Sequence, residues 1–130
     1  MSKVKYNLFL DDVRMPHTTY NYTKNKIYID FDWQVKRSYD EFVEMIIDNG
    51  LPEVVSFDHD LADAHYDPNT WTENFVYQEK TGMDCVKWLV NYCIDKGKPF
   101  PTWYIHSMNP IGSENMRSYI TSYLKQLEHV

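Results

Sequence analysis

Three short stretches carry the side chains most able to do chemistry. "LFLDDVR" ends an apolar run in Asp11 and Asp12, with Arg14 just beyond. "VVSFDHDL" ends another in Asp58, His59 and Asp60. "WYIHSMN" ends a third in His106 and Ser107, with Asn109 behind them. Carboxylates crowded together repel one another unless a cation or a shared proton relieves them. Asp11, Asp12 and Asp58, with Asp60 beside them, are therefore candidate ligands for a hard divalent cation, Mg²⁺ or Mn²⁺. Imidazoles change charge near neutral pH, which suits His59 and His106 to giving and taking protons. They would also suit a softer ion such as Zn²⁺. Arg14 is placed to grip a phosphate. Its competing use is an ion pair with one of the neighbouring carboxylates.

Taken singly, each of these residues has an ordinary use, since Asp and Asn after a strand often cap a helix or hold a turn. What points to a site is their recurrence at three strand ends. The elements follow from the pattern. "KYNLFL" (5–10), "DWQVKR", "PEVVSF" and "PTWYIHS" read as strands. "SYDEFVEMIIDNG" reads as a helix with Ser38 as N-cap, Glu41 closing a capping box, Phe42, Met45 and Ile46 on its apolar face, and Gly50 as its stop. "GMDCVKWLVNYCIDKG" reads as a helix with Val86, Leu89, Val90 and Cys93 on one stripe. "GSENMRSYITSYLKQLEHV" reads as the last helix, with Ser113 as N-cap and backbone N–H groups able to hold a phosphate. Residues 14–31 carry turn formers and aromatics without a helical period, and "IYIDF" reads as a short extra strand. Asp30 and Asp32 are expected on an exposed face. Residues 61–80 are polar and irregular. They read as a loop or lid, with His65, Tyr66 and Trp71 able to stack on a base.

The order β, β, α, β, α, β, α indicates an α/β fold with a small, doubly wound parallel sheet of about four strands and three helices, in a single domain spanning 1–130. In such sheets ligands bind beyond the carboxyl ends of the strands. Three separate segments are thereby expected to deliver carboxylates, imidazoles and a hydroxyl to one crevice.

Composition narrows the function. The 130 residues are 43% hydrophobic and 16% aromatic, enough for a core without disulfide staples. Nineteen acidic residues against 13 basic give a net charge of −6 with no basic run. Binding to long nucleic acid through phosphate neutralisation is not expected. A small nucleotide-derived ligand remains open, because a cation can supply the missing positive charge. Eleven tyrosines and four tryptophans are expected mainly to pack. Cys85 and Cys93 fall on one helix, too far apart along it to bridge, and read as reduced packing residues of a cytoplasmic protein. The start "MSKVKYNLFLDD" lacks an apolar signal core, and no apolar run approaches membrane-spanning length. His17, His65 and His129 are expected to be solvated.

"LFLDDVRMP", "SFDHDL", "TGMDCVKWL" and "HSMNPIGSENM" together resemble the motif set of the cyclic-phosphate-processing receiver domain family, a divergent branch of the receiver fold of response regulators. The resemblance covers most of the chain. The aromatic stretch around 15–32 and the loop around 62–80 look like insertions. It implies a flavodoxin-like sheet with an acidic pocket. Asp11 and Asp12 match the acidic pair that holds a divalent cation. Asp58 matches the residue that accepts phosphate in signalling receivers. Arg14, His59, Asp60, His106, Ser107, Asn109 and Asn115 match positions particular to this branch. Asp84 also matches, with a helix-start role as its alternative. The fifth strand of signalling receivers, with its Lys, is missing here, so hydrolysis is more natural than phospho-relay.

The expected function is metal-assisted hydrolysis of a cyclic phosphate bond in a cyclic nucleotide or a 2′,3′-cyclic end. Asp11, Asp12 and Asp58 bind the cation, His59 and His106 move protons, and Arg14, Ser107, Asn109 and Asn115 hold the phosphate. Replacing His106 by Ala is expected to cost activity but not folding. The alternatives are a receiver-like binder or phospho-acceptor at Asp58, and an acidic interaction or inhibitor protein. A haloacid-dehalogenase-type phosphatase fits Asp58-x-Asp60 poorly, because Leu61 and Ala62 follow. Wording rich in Asn, Lys and Tyr suggests an AT-rich genome such as a phage's, where an enzyme against a host-defence messenger would fit.

Overall fold

A computed structural model describes residues 5–61 and 81–128. Four strands, β1 (Asn7–Leu10), β2 (Trp33–Lys36), β3 (Val54–Phe57) and β4 (Thr102–Ile105), form one all-parallel sheet in the order β2-β1-β3-β4. The chain steps outward from β1 to β2, then crosses back to β3 and β4. This puts the change of winding direction between β1 and β3, where doubly wound sheets open a crevice. Leu10 lies opposite Phe57, and Phe57 opposite Ile105. Asp11, Asp58 and His106 are the next residues on their strands, so they stand level along the carboxyl edge. The ladder continues one step into them: Asp11 N–H donates to Lys36 O, Asp58 N–H to Leu10 O and His106 N–H to Phe57 O. Their backbones are thus held by the sheet rather than left to loops.

The main core lies on one sheet face. Leu8, Leu10, Val55 and Phe57 pack there against α3 (Tyr39–Asn49), α4 (Gly82–Lys96) and α5 (Pro110–Glu128) through Phe42, Ile46, Val86, Leu89, Met116 and Ile120. The stripe expected on α4 is buried, and on α3 Phe42 and Ile46 are buried with Met45 half-buried beside them. Cys85 and Cys93 are free and buried on α4. Among the described residues no helix is long and apolar enough to cross a membrane.

The segment between β1 and β2 differs from the sequence expectation. It holds two helices, α1 (Pro16–Thr23) and α2 (Ile27–Asp30), where turns and an extra strand were read. Pro16 stands at the first helical position, where its missing N–H costs nothing. Only Pro16 and Thr19 are buried on α1, so there was no apolar period to detect. "IYID" alternates as a strand would. The Asn25 side chain instead accepts the Ile27 N–H at 3.2 Å and starts a helical turn that buries Tyr28. Asp30 and Asp32 are exposed, as read.

Two caps also shift. Ser38 Oγ accepts the Glu41 N–H at 3.2 Å, but the Glu41 carboxylate reaches past it to the Arg37 N–H at 2.8 Å. α5 begins at Pro110, earlier than read. Asn109 caps it by accepting the Gly112 N–H at 2.9 Å, and Ser113 sits inside the first turn. The residues 62–80, including the lid reading and His65, Tyr66 and Trp71, lie outside the described residues, as does His129.

Candidate active site

Asp11, Asp12 and Asp58 each offer a carboxylate oxygen within 4.8 Å of the others. Beside them lies a pocket of about 240 Å³ lined by Asp12, Val13, Arg14, Asp58, Asp60, Met108 and Asn109. Asp11 and Asp58 are buried. Arg14 lies between them, its Nη1 3.3 Å from Asp11 Oδ2 and 3.8 Å from Asp58 Oδ2. Its guanidinium also stands 5.6 Å from the centre of the Tyr22 ring. The ion-pair use weighed for Arg14 is therefore realised, at the rim of the pocket.

The three carboxylates are not equivalent. Asp11 accepts four donors: the Val13 and Arg14 N–H groups on Oδ1, and Arg14 Nη1 and His106 Nε2 on Oδ2. Burial pushes its carboxyl up, but these donors outweigh it and hold Asp11 well below the usual carboxylate range. Among the described residues Asp58 has no such set of donors. Burial and the Asp11 charge push it up to about 6, against the pull of Arg14 and a hydrogen bond from Ser107. Asp12 is raised for the same two reasons.

His106 stands behind Asp11, 1% exposed, and does not line the pocket. Its ring lies flat on Phe9, with centroids 4.4 Å apart and planes 9° apart. Nε2 is 3.0 Å from Asp11 Oδ2, and Nδ1 is 2.7 Å from Ser56 Oγ. Ser56 Oγ is in turn 2.6 Å from the Tyr28 hydroxyl. Burial lowers the proton affinity of His106 against the pull of Asp11, and we assign it neutral. The hydrogens then order in one way. Tyr28 O–H donates to Ser56, Ser56 O–H donates to Nδ1, and Nε2–H donates to Asp11, each group spending its proton once. Tyr22 O–H donates to the His106 carbonyl at 2.6 Å.

Of the remaining predicted residues, Asp60 and Asn109 line the pocket and His59 packs beside them. His59 Nδ1 is 2.9 Å from Asp60 Oδ1, and the His59 ring packs over Gly112. The Asp60 carboxylate, 61% exposed, also accepts from Asn109 Nδ2 at 3.1 Å. Asp60 thus lies outside the carboxylate group it was expected to join. The Asn109 amide is shared between Asp60 and the cap of α5. Ser107 Oγ accepts the Asn109 N–H at 3.1 Å. Asn115 is exposed on α5 and does not line the pocket. Asp84 accepts the Thr81 N–H at 2.8 Å, the helix-start role held as its alternative. His17 is exposed.

Sequence reasoning missed four residues here. Tyr22, Tyr28 and Ser56 hold His106. Arg37 Nη1 donates to the carbonyls of Asp11 at 3.2 Å and Arg14 at 2.7 Å, pinning the loop that carries them. One signal was readable: a hydroxyl inside the buried strand "VVSF" must find a partner.

A family model described as the cyclic-phosphate processing receiver domain matches residues 6–122, from just before β1 into α5. No curated protein and no solved structure matches the chain. The match takes in every strand of the sheet and the whole acidic edge, so the chain belongs to the cyclic-phosphate processing receiver domain family.

Proposed function

We propose that the chain hydrolyses a cyclic phosphodiester in a small nucleotide-derived molecule, with a divalent cation as cofactor. The observation that carries this reading is the group Asp11, Asp12 and Asp58, three carboxylates within 4.8 Å beside a pocket. The family description points the same way.

The residues fit a hard cation. Among the described residues, Arg14 is the one Lys or Arg side chain in ion-pair contact with this group, through Asp11 and Asp58. With all three ionised, two negative charges stay unbalanced, the charge of Mg²⁺ or Mn²⁺. Burial and, after it, the neighbouring Asp11 charge keep Asp58 raised. The donors are all carboxylate oxygens with no imidazole among them, which favours Mg²⁺ or Mn²⁺ over Zn²⁺. Asp12 and Asp58 would hold the cation from the pocket side, and Asp11 from behind. When bound, such a cation balances the carboxylates and draws charge from a phosphoryl group.

The protein's own groups then divide the work. Arg14 turns from the carboxylates to the phosphate oxygens. Asp58 takes a proton from the attacking water as the water oxygen bonds to phosphorus. The ring P–O bond breaks, and the leaving oxygen takes a proton from His59, whose Nδ1 is held by Asp60. The product is a linear phosphomonoester. Val13 and Met108, exposed and apolar on the pocket wall, offer surface to a sugar or base. The burial of His106 favours a role behind Asp11 over contact with substrate.

The test is turnover against cyclic mono- and dinucleotides and 2′,3′-cyclic ends, with Mg²⁺, Mn²⁺ or EDTA. Linear product that disappears with EDTA and in Asp58→Asn supports the reading. A ligand that raises the melting temperature without turnover would replace it with a binding role.

A further inference from the structure

We infer that the buried chain Tyr28–Ser56–His106 is a positioning device for Asp11, supplied in part by the helical segment 16–30. The inference deepens the proposed function and rests on reading Asp11, Asp12 and Asp58 as the working group.

Every link is a short contact between buried groups: 2.6 Å from Tyr28 to Ser56, 2.7 Å from Ser56 to Nδ1, and 3.0 Å from Nε2 to Asp11. Folding alone does not ask for this. Phe at 28 and Val at 56 would fill the same space without buried hydroxyls that need partners. The polar chain instead runs from the core to a single carboxylate at the carboxyl edge. Ionised Asp11 can only accept, so Nε2 carries the proton, and Nδ1 accepts from the Ser56 hydroxyl, which holds the ring with its donor aimed at Asp11. Stacking on Phe9 fixes the ring plane, and the Tyr22 hydroxyl holds the main-chain carbonyl of His106. The Asp11 carboxylate, with backbone donors on one oxygen and this donor on the other, is left a single orientation. Groups that orient a ligand in this way govern metal affinity though they never touch the ion. Tyr22 and Tyr28 belong to α1 and α2, so this segment extends the site's support behind the sheet edge.

Tyr28→Phe removes one oxygen and keeps the ring against Phe9 and Trp33; Ser56→Ala removes the next link. Two readouts separate positioning from packing. The ¹³C shift of the Asp11 carboxylate reports its hydrogen bonding without any cation, with Asp84 as an internal reference. Mn²⁺ titration followed by electron paramagnetic resonance gives the affinity. The expected result is a displaced Asp11 signal, an unmoved Asp84 signal and Mn²⁺ binding weakened about tenfold in each variant. An unmoved Asp11 signal overturns the inference, as does a displaced signal with wild-type Mn²⁺ affinity. If the wild-type protein binds no Mn²⁺, the cation reading falls, and the Asp11 signal alone decides the positioning role. Should Ser56→Ala not fold, Tyr28→Phe carries both readouts.

Discussion

Nε2 of His106 lies 3.0 Å from Oδ2 of Asp11, and neither side chain reaches solvent. The sheet sets this contact. Both residues directly follow strands, with β3 between them, and their backbones are held by the ladder. A histidine so placed supports a carboxylate from behind and is closed off from the pocket.

This placement changes what His106→Ala should do. Sequence reasoning expected lost activity with folding spared. The structure points to lost folding stability as well, because the change opens a cavity under Phe9 and leaves Asp11 and Ser56 short of a partner. The expected loss is about 3 kcal/mol in urea unfolding. An unchanged unfolding midpoint would contradict the network.

Asp58 should leave a mark on the pH dependence of stability. Its folded-state carboxyl is raised from 3.8 to about 6, so ionising it costs more in the folded protein than in the unfolded chain. The protein is spared that cost below about pH 4 and bears all of it above about pH 6. Asp12 acts with the same sign, and Asp11, held low when folded, opposes it only weakly and only near pH 4, where the unfolded chain still binds some of its proton. Without divalent cations, stability should fall by about 2–3 kcal/mol between pH 4 and pH 7 through Asp58 alone. Asp58→Asn should flatten most of that slope and stabilise the protein at pH 7. An equal slope in the variant would contradict the assignment.

Two glycines give a contrast. A Cβ at Gly82 would overlap the backbone carbonyl of Asp58, and one at Gly112 would overlap the half-buried His59 ring. Backbone cannot yield, whereas a side chain at a pocket rim can turn away. Gly112→Ala should cost about 1–2 kcal/mol and disturb the His59–Asp60 pair, and Gly82→Ala should cost about 3 kcal/mol or more. Thermal unfolding of both variants checks the order.

Arg14 should act in opposite directions on two ligands. Its charge shares the space between Asp11 and Asp58 with any cation. Arg14→Ala should tighten Mn²⁺ binding several-fold, by removing a like charge, while weakening binding of a nucleotide phosphate. Calorimetric titration with each ligand separates the two effects. Weakened binding of both would mean that Arg14 mainly holds the loop.

Much of this arrangement was legible before the structure. Asp11, Asp58 and His106 end apolar runs, and a parallel sheet brings such ends to one edge. The stripes of α3 and α4 were readable because a helix packed on a sheet must show a 3.6-residue period. α1 and α2 were not, since α1 buries only Pro16 and Thr19 and α2 is a single turn. The division of labour among the site residues was also hidden. His59 and His106 look alike in sequence, but one packs at the rim over Gly112 and the other is closed off behind Asp11. Only the placement of Tyr28 and Ser56, on two elements far apart in the chain, separates them.

The central claim is that Asp11, Asp12 and Asp58 hold a divalent cation. The most direct test is Mn²⁺ titration by electron paramagnetic resonance on the wild-type protein, Asp58→Asn and Asp60→Asn. The account predicts one site in the wild type, retained in Asp60→Asn because that carboxylate lies outside the group, and lost or strongly weakened in Asp58→Asn. No binding by the wild type, or equal binding by all three proteins, would contradict it.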